Sequence, residues 1–374
     1  MQSNSILYKF YYQWWKNINK SIFLLISLLF IIGLFFSLVS TSLIASDKLD
    51  TNSYFFFFKH LIYVLIGISL IFIFSSFNSD QLYKYSIFLF FISLISLFLV
   101  PFVGVEVKGS KRWIDLFFLP RFQPIEVLKP FLIIILATIL CDIKTNILFK
   151  YLISIFLISF ISLLLIAQPD IGQTLLVIFC WAVLIFTSGI NIYILLAIFI
   201  AGASLLAYLI IFVPKFDYIQ GRIFSFFNRE IGTHNFQSDK AIESITSGGF
   251  FGKGIGEGVL KNRVPEAHTD YIISVISEEF GVIFIMLILL TYLVLIFSVL
   301  KKVYKENDKT IKLILTGSIS LILMQAMIHI GVNIRLFPTT GMTLPFLSYG
   351  GSSIISISIM SGIILNLTKR KIIE

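Results

Sequence analysis

Runs of about 20 apolar residues recur along almost the whole of this 374-residue chain, and no other feature restricts its fold so severely. A hydrocarbon core of about 30 Å takes about 20 helical residues to cross, and only helices or closed barrels satisfy their backbone there. Ten runs are legible, near 22–44, 58–76, 83–103, 124–141, 147–166, 171–188, 191–213, 271–300, 310–334 and 344–367. They predict an all-α polytopic membrane protein. Composition agrees: 57% of residues are hydrophobic, 13% are charged and mean hydropathy is +0.96, far from a soluble domain. The first run is too long and too deep in the chain for a signal peptide, and no small-residue cleavage site follows it, so it is expected to stay as an anchor. Cys141 and Cys180 sit inside apolar runs without metal-ligand spacing and read as small core residues. No internal repeat or low-complexity linker divides the chain, which predicts one domain. Its parts are a tail over 1–21, seven spans over 22–213, a large loop over 214–270, three spans over 271–367 and a second tail over 368–374.

Ten spans put both tails on one side. The tails carry Lys9, Lys16, Lys20, Lys369, Arg370 and Lys371, so the excess of Lys and Arg in short cytoplasmic segments makes that side cytoplasmic. The turns with Lys84, Lys144, Lys150 and the Lys301 to Lys312 cluster fall on the same side. The remaining 15 of 29 Lys and Arg then lie outside. Long loops cross regardless of charge, but 104–123 is short and still basic. Clustered cations there suit either a phosphorylated lipid headgroup or a solvated face against anionic lipids.

Four segments do not read as lipid-facing helix. The first holds Arg112, Trp113, Gln123, Pro124, Glu126 and Lys129. Pro124 fits a first helical turn, so Glu126 and Lys129 share a face just inside the membrane. Such charges must pair or line a cavity. Trp113 is either an interfacial belt residue or a stacking platform. In the second, Gln168-Pro169-Asp170, the carboxylate sits where it can cap the next helix. The third runs through Gly248, Gly249, Gly252, Gly254, Gly256 and Gly258 to Lys261 and Arg263, then Pro265-Glu-Ala-His-Thr-Asp270 and Glu278-Glu279. Its glycines let backbone pass close to another chain, and no dinucleotide or phosphate-loop context surrounds them. Glu266, His268 and Asp270 converge at the mouth of a span, where Thr269 or Asp270 could cap the helix or its N–H groups could meet an anion. His268, His234 and His329 show no paired-ligand spacing for structural zinc. The fourth, Arg335 to Ser353, carries Pro338, Gly341, Pro345, Gly350 and Gly351. Broken helix at membrane depth requires burial or a polar cavity, so a cavity is expected to open outward there.

In order along residues 22–368, Arg112-Trp113-Ile114, Gln123-Pro124-x-Glu126-x-x-Lys129, Gln168-Pro169-Asp170, Gly248-Gly249, Pro265-Glu-x-His-Thr-Asp270 with Glu278-Glu279, and Leu344-Pro-Phe-Leu-Ser-Tyr-Gly-Gly-Ser-Ser353 resemble the SEDS family, named for shape, elongation, division and sporulation. The alanine at 267 and the Gly-Glu-Gly-Val-Leu-Lys261 stretch resemble its division branch more than its elongation branch. Tyr271-Ile-Ile and Lys111 depart from the usual pattern without removing a proposed catalytic group.

The resemblance implies a peptidoglycan glycosyltransferase of the bacterial cytoplasmic membrane, working at its outer face and at the division septum. Its substrates would be lipid II, an undecaprenyl-pyrophosphate-linked disaccharide-pentapeptide, and the nascent glycan strand. Its partners would be a class B penicillin-binding protein and divisome regulators, with no nucleic acid. Asp270 is the implied general base of an inverting displacement. Arg112, Trp113, Gln123, Glu126, Lys129, Lys261, Arg263, Glu266, His268, Thr269, Ser348 and Ser352 are the implied substrate contacts. The cations Arg112, Lys129, Lys261 and Arg263 would receive the diphosphate, alone or with a loosely held Mg²⁺ or Mn²⁺. Two rival readings stand beside it. A lipid II transporter would also use broken helices and mid-span Gln325, His329 and Asn333, and a division scaffold would need no chemistry.

Overall fold

The computed structural model describes residues 3–48, 54–107, 110–116, 119–142, 145–227 and 236–369. In chain order its helices are α1 (Ser3–Asn17), α2 (Lys20–Lys48), α3 (Phe55–Ser76), α4 (Ser79–Val103), α5 (Pro124–Cys141), α6 (Ile147–Ala167), α7 (Ile171–Ser188), α8 (Ile192–Phe212), α9 (Asp217–Phe227), α10 (Phe236–Gly248), α11 (Ile272–Lys305), α12 (Lys309–Asn333) and α13 (Gly351–Leu367). Among the described residues nine of them, α2 to α8 with α11 and α12, are long and apolar enough to cross a membrane. The tenth expected span, 344–367, is helical only from Gly351. Pro345 has no N–H to give a helix and Phe346 takes φ 67, so residues 344–350 fold as an irregular turn. Ser348 closes that turn, its hydroxyl accepting from Leu344 N at 2.9 Å.

Two regions carry more structure than their hydropathy showed. Between α4 and α5 lie strands β1 (Val105–Val107), β2 (Ser110–Leu116) and β3 (Leu119–Phe122). They form an antiparallel sheet of order β1-β2-β3, with Val105 opposite Trp113 and Ile114 opposite Phe122. The 214–270 loop contains α9 and α10, and the first tail contains α1.

The core lies where helices approach without lipid between them. In a membrane, small residues allow this: a Cβ on Gly67 of α3 would stand 2.4 Å from Ser358 Oγ of α13, and one on Gly362 would stand 2.7 Å from Phe74 Cβ. Helices α5, α7, α12 and α13 are mostly buried, whereas α8 is almost wholly exposed.

Helix α11 is not one straight span. At Gly281 its backbone turns to φ 76, ψ 177, which only glycine adopts easily. The glycine-rich segment before it fills the break: Lys253 N and Gly254 N donate to Glu278 O and Glu279 O at 2.9 and 3.0 Å, and Val282 N donates to Gly249 O at 3.0 Å. A Cβ on Gly252 would lie 2.1 Å from Glu279 O, so the closeness expected of these glycines is to this helix. The buried Glu278 carboxylate accepts from Leu260 N and Ser244 Oγ, both at 2.9 Å. The result is a short, fixed helix over 272–280, with residue 270 just before its start.

Both described ends of the chain meet at one end of the bundle. Trp14 Nε1 donates to Ser75 Oγ at 2.8 Å, while Asn366 Nδ2 donates to Phe74 O and Phe77 O at 2.8 and 2.7 Å. Residues 123, 270 and 350 lie at the opposite end.

Candidate active site

The first turn of α5, the start of α7 and strand β2 meet in a buried polar network. Pro124 opens α5, and Glu126 and Lys129, one turn apart, pair at 2.9 Å with both side chains buried. Gln173 Nε2 donates to the other Glu126 oxygen at 2.6 Å, and Lys129 Nζ donates to Gln325 Oε1 at 3.2 Å. Asp170 is the N-cap of α7, accepting from Gln173 N at 3.4 Å, as its position in the turn predicts. It also accepts from Gln123 Nε2 at 2.7 Å and pairs with Arg112 at 3.7 Å. Burial pushes the Asp170 carboxyl up, and the Arg112 guanidinium and the Gln173 N–H pull the other way. The Arg112 fork reaches further, donating to Gln168 O at 3.1 Å and to Pro169 O. It thereby fastens the sheet to the α6–α7 turn. The extra positive charge of the 104–123 segment has a structural use in Arg112 and in Arg121, which pairs with Asp115 at 3.0 Å.

Asp270 stands on a turn built by Glu266. Glu266 takes φ 56, and its carbonyl accepts from the N–H groups of Thr269, Asp270 and Tyr271 at 3.1, 3.1 and 3.3 Å. The N-cap of α11 is Tyr271, without a side-chain cap, so the alternative of Thr269 or Asp270 as cap residue is not what the fold uses. A carboxylate just ahead of a helix start is stabilised in its charged form by the helix dipole. Its neighbour across the cavity is glycine backbone: a Cβ on Gly341, which takes φ 71, would stand 3.6 Å from Asp270 Oδ2.

A cavity of about 480 Å³ joins these parts. Of the residues singled out from sequence, Arg112, Trp113, Gln123, Glu126, Glu266, Thr269, Asp270 and Ser352 line it, with Asp170. The others do not. Lys129 lies behind Glu126. His268 packs against Phe56 and Tyr349, ring centroids 4.9 and 5.9 Å away. Ser348 is buried and donates to Thr269 O at 2.6 Å. Arg263 is exposed, and the side chain of Lys261 lies outside the described residues. Sequence reasoning missed Gln173, Gln237, Thr340, Thr343 and Tyr349, which also line the cavity. Only Gln173, three residues after Asp170, carried a hint in its spacing.

The lining decides which groups can move a proton. The Tyr271 and Tyr349 phenols line the cavity as hydroxyl donors. Glu126 and Asp170 are engaged by cations and amides. Asp270 and Glu266 are the other two lining carboxylates, and Thr269 Oγ1 donates to Glu266 Oε2 at 3.3 Å. Among the described residues no three His, Cys, Asp or Glu side chains come together to hold a metal ion.

A second cavity of about 470 Å³ is almost wholly apolar. It lies among α7, α8 and α12, lined by Leu175, Phe179, Leu206, Leu209, Met324 and Ile328, and it shares Thr339 and Thr340 with the polar cavity. A polar chamber with a carboxylate thus abuts a greasy one.

Comparison with known proteins bears on this arrangement. The chain is 31% identical over 361 residues to the probable peptidoglycan glycosyltransferase FtsW of Caulobacter vibrioides, covering 96% of this chain and 91% of that protein. Its fold matches a chain of a peptidoglycan synthase complex, solved for the coordination of polymerization and crosslinking, with TM-score 0.76 and 25% identity over 94% of this chain and 97% of that one. It also matches the rod shape determining protein RodA of Thermus thermophilus, with TM-score 0.68 and 25% identity over 94% and 96%. The family model for the FtsW, RodA and SpoVE cell cycle proteins matches residues 19–372, and with that span, this identity and this fold the chain belongs to that family.

Proposed function

We propose that this chain is a peptidoglycan glycosyltransferase that polymerises lipid II into glycan strands at the outer face of the cytoplasmic membrane during division, with Asp270 as general base. The observation that carries the proposal is the junction of the two cavities at Thr339 and Thr340. A lipid-linked sugar needs a polar chamber for its head and an apolar one for its chain, side by side. The relative from Caulobacter vibrioides carries the same activity in its name.

In this reading an acceptor sugar hydroxyl enters beside Asp270 and attacks the anomeric carbon of a second lipid-linked unit. The new C–O bond forms as the bond to the diphosphate breaks, the hydroxyl proton passes to Asp270, and the lipid diphosphate leaves with the electron pair. One displacement inverts the anomeric centre, so one base serves and no second carboxylate nucleophile is required. General base assistance of this kind typically contributes about 10² to 10⁴-fold. Arg112, Trp113, Gln123, Glu126, Glu266, Thr269 and Ser352 are the assigned substrate contacts within the cavity. Lys129, Arg263, His268 and Ser348 support it from outside its lining, and Lys261 is assigned to the leaving diphosphate.

The chain is read as one membrane domain with both tails in the cytoplasm, working at the septum beside a crosslinking class B penicillin-binding protein and its divisome regulators. The solved synthase complex, in which polymerization is coordinated with crosslinking, supports that pairing. The test is reconstitution in detergent with the partner's transpeptidase inactivated. Parent chain should polymerise lipid II and Asp270→Asn should lose at least about 100-fold. Polymer from Asp270→Asn at the parental rate ends the base assignment. Absence of polymer from the parent, with lipid II crossing restored in vesicles, selects the transporter instead.

A further inference from the structure

Gln325, His329 and Asn333 recur at every fourth position of α12, so they stand above one another on one face of the helix. All three are buried, and each holds a piece of non-helical backbone. Gln325 Nε2 donates to Thr343 O at 3.1 Å. His329 Nδ1 meets Met342 O at 2.8 Å; a carbonyl can only accept, so this nitrogen carries the proton. Asn333 Nδ2 donates to Asp270 O at 3.0 Å and to His329 O at 2.8 Å.

The backbone they hold belongs to the cavity. Met342 and Thr343 form one wall, and Asp270 lines the cavity as well. The two come from distant parts of the chain, and neither stands inside a helix that could fix it. Helix α12 holds both at once, through donors spaced about 6 Å apart along its axis. Unmet carbonyls at membrane depth are costly, so these amides and the imidazole make this arrangement of the two segments the favourable one.

From this geometry we infer that Asn333 is a positioning residue for Asp270, and that His329 and Gln325 hold the facing wall at the matching depth. The inference rests on the reading of Asp270 as the base. A carboxylate displaced by about 1 Å loses roughly 100-fold in rate when proton transfer depends on alignment. Substrate contacts made by Trp113, Gln123 and the apolar cavity do not pass through Asn333. Its loss therefore falls on kcat and leaves KM in place.

The experiment compares parent, Asn333→Leu, Asn333→Ala, Asp270→Asn and Asn366→Leu as full chains reconstituted with the crosslinking partner, on lipid II. Leucine matches the shape of asparagine and suits a membrane helix, so Asn333→Leu keeps the test valid where alanine fails to fold. Asn366 serves as control, because it is also buried and bonds backbone carbonyls at the other end of the bundle. The expected result is a 10 to 100-fold fall in kcat for the Asn333 variants, roughly, with KM within twofold. Asn366→Leu should lower the thermal midpoint and leave kcat of the folded fraction unchanged. A raised KM with unchanged kcat in Asn333→Leu, or an equal kcat loss in Asn366→Leu, overturns the inference. Asp270→Asn at the parental rate removes the base reading and this inference together. An inactive Asp270→Asn beside a fully active Asn333→Leu removes this inference alone.

Discussion

Lys129 Nζ lies 2.9 Å from Glu126 Oε2 with its own side chain fully buried, and the pair is extended by Gln173 on one side and Gln325 on the other. The four residues come from three helices, α5, α7 and α12, so an ion pair that looks local ties the centre of the bundle together. Removing Lys129 leaves the Glu126 charge uncompensated and almost wholly buried at the cavity wall. Lys129→Met should therefore cost about 3–5 kcal/mol, read as a large drop in thermal midpoint in detergent. Glu126→Gln combined with Lys129→Met removes both charges and should recover most of that loss. A single variant as stable as the parent would show that water reaches the pair.

The Arg112 fork makes three contacts, to Gln168 O, Pro169 O and Asp170. An ammonium cannot reproduce a planar fork, so Arg112→Lys should loosen the sheet from the α6–α7 turn. The expected outcome is a lower thermal midpoint accompanied by a raised KM, because the same strand carries Trp113 into the cavity. A raised KM at unchanged thermal midpoint would put the whole effect on the substrate contact of Arg112 and show that the sheet stays anchored without the fork.

Much of the frame was legible because hydropathy reports which runs are long and apolar enough to cross a membrane. The expected spans 124–141 and 171–188 coincide with α5 and α7, and the proline and glycine cluster after Arg335 does mark broken helix beside a cavity. Hydropathy is blind to what happens within an apolar run. The stretch from 271 to 300 reads as one span, yet Gly281 breaks it, because the partner that fills the break is a glycine segment some thirty residues earlier. The short sheet was missed for a related reason: β1 and β3 have only three and four residues, β2 does not alternate strictly, and Arg112 on β2 grips a distant turn. Gln325, His329 and Asn333 could be seen in sequence as polar residues inside a span. Only their partners show that they hold backbone, which weakens their use as support for a transport path.

The bolt at Gly281 is testable by size alone. A Cβ on Gly252, at φ 78, would lie 2.1 Å from Glu279 O, whereas one on Gly202 of α8 meets nothing within 4 Å. Gly252→Ala should lower the thermal midpoint sharply through both clash and backbone strain. Gly202→Ala should leave it unchanged or raise it slightly, since alanine favours helix. Because the bolt fixes the short helix behind Asp270, Gly252→Ala should also slow polymerisation by the folded fraction. Equal stability of the two variants would mean that the segment swings clear of α11.

The apolar cavity gives the sharpest test of how the substrate is held. Leu209 on the lightly packed α8 lines that space together with Leu175 and Phe179 of α7 and does not line the polar cavity, so Leu209→Trp adds bulk to the apolar chamber. A long polyprenyl chain would lose room and contact area there, at about 25 cal/mol per Å² of apolar surface. A shortened chain would lose little. KM for the full-length lipid-linked substrate should thus rise several-fold while KM for a short-chain analogue stays within about twofold, the area coefficient setting the scale of the difference. If both substrates suffer equally, the chain runs elsewhere and the junction at Thr339 and Thr340 is not the path between head and tail.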